Sequence, residues 1–287
     1  MTRGIDHLVV AVRDLDAAAR LYERLGFTVG ARNRHPWGTE NRVIQLAGSF
    51  IELISVGEDA GIPPHEPRRF SFGAFVRDYL AVREGLAMLV LDSADSKADA
   101  AAFAADGIGD FEPFFFERRG RRPDGAETHV AFTLAFAQDP AAERAGFFLC
   151  QHHFPENFWN ESFQRHPNRA SALSAVTLAA PEPPAHEAFL TRFTGVEPSS
   201  PDGDDLSYTL ARGRIDVVTP DDAAEIYGSV DADPAGAAFV AFAVRIPNPQ
   251  GQAALLTEGG IPYQTIGSRL VVPASAAHGV TIAFEPE

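Results

Sequence analysis

Cysteine and long hydrophobic runs are nearly absent from the sequence. One cysteine, Cys150, occurs in 287 residues, so no intrachain disulfide can form and a zinc site built on paired cysteines is excluded. No run of roughly 18 apolar residues occurs, so no transmembrane helix is expected. The first residues, MTRGIDHL, lack the apolar core and the cleavage site of a signal peptide. These features together predict a cytoplasmic protein.

Basic residues are also scarce. The chain has 24 lysines and arginines against 39 aspartates and glutamates, which gives a net charge of −15 at pH 7. Nucleic acids and anionic membranes are bound through a basic face, so neither is expected as a partner. The motifs GxGxxG, GxxxxGKS/T and GxSxG are missing as well. Nucleotide binding and serine-hydrolase chemistry therefore have no motif to support them.

The chain repeats one order of secondary structure four times. In the first block, IDHLVVAV is typical of a strand, RDLDAAARLYERLGF has apolar residues at helical spacing, and three strand-like segments follow. Asp14 is expected to cap the helix and Gly26 to end it. Similar orders of elements return near residues 86, 172 and 236. Because a lone βαβββ module leaves one sheet face bare, we expect the modules to pair.

The predicted fold is α+β, with four βαβββ modules in two tandem pairs. The N-terminal pair is placed at 1–164, with modules at about 4–57 and 72–156, and the C-terminal pair at 165–287, with modules at about 170–228 and 236–287. The polar segment at 155–171, which contains proline and asparagine, is expected to link the two pairs.

The first module resembles a known superfamily. A repeat that opens with DHLVVAVRDLDAAARLYERLGF and closes with FIEL is similar to the vicinal oxygen chelate superfamily, and the whole chain is most similar to its glyoxalase-like branch with four modules. The resemblance implies that each paired sheet curls into a cup, with a divalent metal ion held by side chains from the first and last strands of the modules. His7 and Glu52 stand at these positions in the first module. Imidazole with carboxylate suits Zn, Fe, Mn, Co or Ni.

Strict alternation along the first strand predicts which side chains lie on the same face of the sheet as His7. It would place Ile5 and Val9 on the same face as His7, and Asp6 on the opposite face. Asp6 is then expected to orient a neighbouring backbone group or an arginine. The alternative for His7 and Glu52 is a structural role in hydrogen bonds or ion pairs.

The second module departs from the family pattern. Its first strand carries Met88 and other apolar residues near the ligand position, and none of them binds a hard divalent ion. Its last strand ends with four candidates, namely Cys150, Gln151, His152 and His153. His153 is favoured over His152 as the third ligand, with Gln151 on the same face, although a one-residue slip exchanges the faces. Alternatively, the two histidines simply begin the linker.

The second pair of modules is expected to hold no metal. Ala175 and Phe239 fall near the position that His7 has in the first module, and Asp216 aligns with Glu52 but has no matching histidine. This half is expected to be a structural partner of the first.

Polar and aromatic residues crowd the hairpin at 32–42 and the segment at 114–129. The predicted substrate-binding residues are Arg34, Trp37, Asn41, Phe116 and Arg118. His35 and His129 are the candidate catalytic bases. The guanidinium groups would suit an anionic substrate, and the alternative is a solvated hairpin tip.

The resemblance implies a metal-dependent enzyme that acts on a small substrate with two adjacent oxygens, as an isomerase or lyase. A ligand on only one opening strand argues against a glyoxalase I proper and against an ordinary extradiol dioxygenase. An extradiol-type dioxygenase nevertheless stays open, as does a metal-free binding protein of the bleomycin-resistance type. The expected partner is a small molecule, and a homodimer is a further arrangement left open.

Overall fold

Two mixed β-sheets, one in each half of the chain, form the framework of the protein. The computed structural model describes residues 2–58, 61–121, 127–200, 203–233 and 236–287. The strands of the first sheet are β1 (Ile5–Ala11), β2 (Asn33–Arg34), β3 (Thr39–Leu46), β4 (Ser49–Val56), β5 (Gly85–Asp92), β6 (Phe114–Arg121), β7 (Glu127–Ala137) and β8 (Gly146–His152). Those of the second sheet are β9 (Ala172–Ala179), β10 (Leu206–Thr209), β11 (Arg214–Val218), β12 (Ala238–Ile246), β13 (Gln264–Ile266), β14 (Arg269–Val272) and β15 (Thr281–Pro286).

Each sheet places the opening strands of its two modules side by side. The strand orders are β2-β3-β4-β1-β5-β8-β7-β6 and β10-β11-β9-β12-β15-β14-β13. Strand β1 runs parallel to β4 and antiparallel to β5, and β12 runs parallel to β15 and antiparallel to β9. This topology confirms the predicted α+β fold of paired modules. The third module differs from the prediction, because two strands rather than three follow its helix among the described residues.

Seven α-helices lie between the strands of the described ranges. They are α1 (Leu15–Arg24), α2 (Phe72–Val82), α3 (Ser96–Asp106), α4 (Pro155–Phe158), α5 (Glu187–Thr194), α6 (Pro220–Tyr227) and α7 (Pro249–Glu258). Asp14 caps α1 as predicted, since its side chain accepts hydrogen bonds from the amides of Asp16 and Ala17. Gly26 follows this helix with φ of 92°, a conformation that favours glycine. In the part of the chain that the structure describes, no helix is long and apolar enough to cross a membrane.

One hydrophobic core joins the two sheets. It contains apolar side chains of both halves, all nearly inaccessible to solvent. Phe147 of β8 shows the junction, because its ring lies 4.8 Å from that of Phe189 and 5.4 Å from those of Phe193 and Phe239. Burial of this shared apolar surface stabilises both halves together.

A β-bulge interrupts all four opening strands at equivalent points. The register shifts lie at the residue pairs Asp6–His7, Ala87–Met88, Ser174–Ala175 and Val240–Ala241. In β1, Ile5 before the bulge and Leu8 after it both belong to the shared core. A bulge inserts one residue and breaks the alternation. The side chains of Asp6 and His7 therefore both lie outside the shared core. The expectation that Ile5 lies beside His7, with Asp6 on the opposite face, is therefore wrong.

The concave faces of the two sheets are filled differently. The second is packed with alanines and with Tyr227 of α6, whose hydroxyl lies 2.8 Å from Thr177 Oγ1. The bulge makes Ala241, not Phe239, the equivalent of His7 in the fourth module, and Phe239 lies in the shared core. The concave face of the first sheet carries aromatic and polar side chains around a cavity.

Candidate functional site

Eight of the ten predicted site residues line one cavity in the first sheet. They are His7, Arg34, His35, Trp37, Asn41, Glu52, Phe116 and Arg118. Aromatic side chains from β4, β7, β8 and α4 complete the wall, namely Phe50, Phe132, Phe148 and Phe158. The residues predicted from the two modules thus lie around the same cavity. The other two of the ten, His129 and His153, lie outside it.

His7 stands at the base of this cavity with both ring nitrogens facing carboxylates. Its Nδ1 lies 2.6 Å from Asp6 Oδ2, and its Nε2 lies 3.8 Å from Glu52 Oε2. The imidazole ring stacks on Phe50, with 4.1 Å between the ring centroids. An ionised Asp6 can only accept a hydrogen bond, so the contact assigns a proton to Nδ1 and leaves Nε2 facing Glu52.

Asp6 is the functional candidate that sequence reasoning missed. Its carboxylate lies between two histidines, with Oδ1 3.0 Å from Nε2 of His152 and Oδ2 2.6 Å from Nδ1 of His7. Burial alone would raise the pKa of Asp6, but hydrogen bonds from His152 and His7 hold it well below its ordinary value. The available signal was an acidic residue directly before His7 in an otherwise apolar strand.

Glu52 is the second buried carboxylate of the site. It is 6% exposed, and Asp6 is 3% exposed. Asn41 donates a hydrogen bond from Nδ2 to Glu52 Oε1 at 2.5 Å. Among the described residues no lysine or arginine forms an ion pair with either carboxylate; their charged contacts are His7 and His152. The base of the cavity thus concentrates negative charge away from solvent.

The second module supplies different side chains at the equivalent positions. Its bulge places Met88 where the first module has His7. The parallel pairing sets Glu52 opposite Val9 in the first module and Phe148 opposite Val90 in the second, which makes Phe148 the equivalent of Glu52. Both equivalents are apolar, so only the first module provides metal-binding groups at these positions.

The structure corrects the expectation for His153. Phe148 and Cys150 of β8 belong to the cluster on the concave face, and His152 follows them in alternation. His153 instead lies with its Nε2 2.7 Å from Thr133 Oγ1, and its amide donates to the carbonyl of Ala131. His153 is therefore turned away from His7 and Glu52.

The other candidates of β8 have contacts of their own. Gln151 accepts from the amide of Ser96 and donates to the carbonyl of Ala94, so it also faces away from the cavity. In the described ranges, a single group of three potential metal-binding side chains has its ligand atoms within 4.8 Å of one another: Asp6, Cys150 and His152. Burial raises the pKa of the Cys150 thiol, and the negative charges of Asp6 and Glu52 raise it further.

His129 lies outside the cavity. Val130 and Phe132 of β7 line the cavity wall, and alternation turns His129 to the opposite face. Its Nε2 lies 2.8 Å from Glu117 Oε2, and its ring lies 4.5 Å from that of Phe154. The expectation that His129 serves as a base in the cup is therefore wrong.

His35 is the titratable group on the opposite wall of the cavity. Its Nδ1 lies 2.8 Å from Thr39 Oγ1, its Nε2 lies 3.4 Å from Asn41 Nδ2, and its ring stacks on Trp37 at 4.5 Å. Burial lowers the pKa of His35, partly opposed by the charge of Glu52 and assisted by that of Arg118. The imidazole is thus neutral at pH 7 and can accept a proton.

The two predicted arginines differ in their contacts. Arg34 has an 82% exposed side chain and pairs with Glu40 through Nε at 2.8 Å. Within the described ranges Arg118 has no carboxylate partner, and burial lowers its pKa. Phe116, two residues before Arg118 on the same strand, packs its ring 4.9 Å from that of Trp37. Of the two arginines that line the cavity, Arg118 is therefore the one without a carboxylate partner among the described residues.

Comparisons with known proteins agree with this architecture. A family model described as a glyoxalase-like domain matches residues 5–194. No curated protein sequence matches the chain. A hypothetical protein from Staphylococcus aureus has a similar structure, with a TM-score of 0.70, 11% identity and coverage of 99% of this chain and 100% of that one.

Two further solved structures are similar to the whole chain. A mutant of 4-hydroxymandelate synthase from Streptomyces coelicolor has a TM-score of 0.63 and 12% identity, over 99% of this chain and 92% of that one. The Mn(II)-bound glyoxalase from Novosphingobium aromaticivorans has a TM-score of 0.55 and 13% identity, over 100% and 83%. At these identities the likeness concerns the fold, and the family model carries the assignment. The chain belongs to the glyoxalase-like domain family, in agreement with the predicted similarity of its first module to the glyoxalase-like branch of the vicinal oxygen chelate superfamily.

Proposed function

We propose that the protein is a metal-dependent enzyme that holds one divalent ion between His7 and Glu52. Its substrate would be a small molecule with two adjacent oxygens, and its reaction an isomerisation or a lyase reaction. The observation that carries this proposal is the pair of buried carboxylates, Asp6 and Glu52, that face one imidazole without an arginine or lysine partner in the described part of the chain.

Charge supports a divalent ion at this point. Burying a carboxylate without a compensating cation is costly. Without a metal, protons on both His7 and His152 would be needed to neutralise the two negative charges, whereas one divalent ion neutralises both. The donor set, one imidazole nitrogen and one carboxylate oxygen, suits Zn, Fe, Mn, Co or Ni.

Distance supports the same arrangement. The 3.8 Å between His7 Nε2 and Glu52 Oε2 lets both atoms reach one ion whose bonds are about 2.0–2.2 Å long, although it is about 0.4 Å wider than the separation of ideal tetrahedral ligands. Both atoms belong to side chains that line the cavity. The residues present therefore fit a metal ion, with two ligands from the protein.

The apolar equivalents Met88 and Phe148 would leave the remaining coordination positions to water or substrate. A bound divalent ion would supply Lewis-acid stabilisation of negative charge on a substrate oxygen. Asn41, which donates to Glu52, would fix the direction of that carboxylate. His35, kept neutral by burial, would accept or return a proton.

The wall of the cavity would bind the part of the substrate that does not contact the metal. Phe116 and Trp37 form an aromatic surface, and Arg118 would pair with an anionic group through its guanidinium fork. Arg34, already paired with Glu40, would contribute at the rim.

A metal-free binding protein is the second candidate. The aromatic lining and the apolar Met88 and Phe148 favour it, because such a cup could hold an apolar ligand by contact alone. An extradiol-type dioxygenase has less support, since Met88 stands on the second opening strand where such enzymes carry a histidine.

The metal content of the purified protein separates these candidates. We expect about one transition-metal ion per chain in the wild type, and a loss of that ion in both His7→Ala and Glu52→Ala. The matched control is His129→Ala, which breaks a histidine–glutamate contact on the outer face and should keep the metal. A wild-type protein without metal, and without thermal stabilisation by added Zn, Mn, Fe, Co or Ni, would exclude the metal-dependent enzyme and favour the binding protein.

A further inference from the structure

We propose that Asp6 is the positioning residue of the site: it fixes the tautomer and orientation of His7, and His152 holds Asp6 in place. The proposal rests on the proposed function in one respect, namely that His7 Nε2 serves as a metal ligand. Its structural part, the tautomer of His7, is independent of that function.

The bulge in β1 makes this contact possible. On a regular strand, consecutive side chains point to opposite faces, and Asp6 would then lie away from His7. The register shift between Ile5 and His7 instead brings the Asp6 carboxylate to 2.6 Å from His7 Nδ1. This is a short, charge-assisted hydrogen bond between two buried groups.

The same bulge occurs in the other three modules without such a pair. The residues that correspond to Asp6 are Ala87, Ser174 and Val240. The bulge itself therefore needs no aspartate, because three of the four opening strands form it with other side chains. The bulge is a feature of all four modules. The contact with His7 accounts for the aspartate at this position of the first module.

His152 occupies the other side of the Asp6 carboxylate. Its Nε2 lies 3.0 Å from Oδ1, and its ring is confined by Phe132 and Phe158 at centroid distances of 4.8 and 5.1 Å. The same Nε2 also lies 3.3 Å from Oδ2, the oxygen that contacts His7, so His152 touches both oxygens of the carboxylate and limits its rotation. A histidine that ligates a metal commonly donates its other N–H to a carboxylate, which fixes the ring and strengthens the ligand.

Substitution by asparagine tests the arrangement without changing its shape. Asparagine keeps one acceptor oxygen and replaces the other with an NH2 group, which cannot accept from a histidine N–H, so Asp6→Asn removes one of the two acceptors that His7 and His152 share. We expect Mn²⁺ affinity, measured by the loss of the free-ion electron paramagnetic resonance signal, to fall about 10- to 100-fold. Adding His152→Phe to Asp6→Asn should recover part of this loss, because the single oxygen is then left to His7.

The matched control is Asp139→Asn. Asp139 pairs with His186 at 2.6 Å, and both are buried, at a point outside the cavity lining. This variant loses a contact of the same chemical kind and should keep wild-type Mn²⁺ affinity. Equal losses in Asp6→Asn and Asp139→Asn would show a general effect on stability and would overturn the proposal.

Nitrogen-15 NMR of the metal-free wild type at about pH 8, where free histidine is neutral, supplies a second readout that needs neither a variant nor a metal. We expect His7 to carry its proton on Nδ1 and not on Nε2. A His7 protonated on Nε2 would overturn the proposal even if Asp6→Asn does not fold. A wild type that shows the Nδ1 tautomer but binds no Mn²⁺ would retain Asp6 as the positioning residue of His7 and would contradict the proposed function alone.

Discussion

The side chains of Asp6 and His7 meet at 2.6 Å although the two residues are neighbours on one strand. The contact exists because a bulge breaks the alternation of β1 at this point. It orients the remaining nitrogen of His7 toward Glu52, 3.8 Å away. The chemistry proposed for the cavity depends on this local irregularity of the backbone.

Removing the hydrogen bond from Asn41 should weaken metal binding. Asn41 donates to Glu52 Oε1 and accepts a hydrogen bond from Asn33 through its own Oδ1. In Asn41→Ala, the Glu52 carboxylate can rotate, so we expect a loss of about 10-fold or more in Mn²⁺ affinity, measured by calorimetric titration. Asn33→Ala, one step further from the carboxylate, is the control. Wild-type affinity in Asn41→Ala would show that Glu52 needs no such support.

His153→Ala should leave metal binding unchanged. His153 contacts Thr133 on the outer side of β8, so its removal costs one hydrogen bond, about 1 kcal/mol in the free energy of unfolding. Calorimetric titration with Mn²⁺ and chemical denaturation measure the two effects. A loss of metal from His153→Ala, with the fold intact, would restore this residue as the third ligand and contradict the arrangement described above.

Arg118 should select anionic ligands. Its guanidinium lines the cavity without a carboxylate partner among the residues described, and a charge-assisted hydrogen bond contributes about 1.5–3 kcal/mol. Arg118→Gln is therefore expected to weaken binding of an aryl carboxylate about 10-fold or more and to leave its methyl ester unaffected. Quenching of tryptophan fluorescence provides the measurement. Arg34→Gln, which alters an arginine already paired with Glu40, is the control, and equal effects of the two variants would refute the assignment.

The stability of the protein should fall below neutral pH, in part through His166. The amide of Thr28 donates to its Nδ1, and its Nε2 donates to the carbonyl of Gln45, so these contacts require a neutral ring. Burial lowers the pKa of His166 from 6.5, partly opposed by the Gln45 hydrogen bond. The unfolded chain then binds a proton first as the pH falls, so this contribution is complete above 6.5 and is lost as the pH falls below it.

Calorimetry from pH 8 to pH 5.5 checks this dependence. We expect His166→Gln to lower the unfolding temperature at pH 8 and to show a flatter pH profile than the wild type. Part of the change of unfolding temperature with pH should remain in His166→Gln, because burial also lowers the pKa of His35. Parallel profiles for the wild type and His166→Gln would contradict the role given to His166.

The two sheets should unfold together. Phe147 is 1% exposed and packs on Phe189, Phe193 and Phe239 of the second half. Phe147→Ala leaves a cavity in this shared core, and we expect a loss of about 3–5 kcal/mol in the free energy of unfolding within a single transition. Phe163→Ala, at a site 49% exposed, is the control. Two separate transitions in the wild type would show that the halves are independent.

The sequence predicted the paired modules of the fold, and eight of its ten predicted site residues line one cavity. The repeated order of strand and helix predicted the paired modules, and Asp14 was placed correctly as a helix cap because capping depends on local sequence alone. His7 and Glu52 could be located because they stand on the first and last strands of one module. The domain boundary near residue 165, the homodimer and the cytoplasmic location stay predictions.

The errors in placing individual side chains have one physical origin, which is the register of side chains along strands. A bulge leaves no reliable mark in a run such as GIDHLVVAV, so alternation misplaced Ile5 and Asp6. His129 and His153 were assigned to the cup because strand order alone does not say which face a residue occupies. Each lies one position from a residue that points to the concave face, Val130 and His152 respectively.

Anomalous diffraction from crystals soaked in Mn²⁺, recorded at the manganese absorption edge, tests the central claim most directly. The proposed site predicts one strong peak about 2 Å from both His7 Nε2 and Glu52 Oε2. No peak at that position, or a peak instead among Asp6, Cys150 and His152, would contradict it.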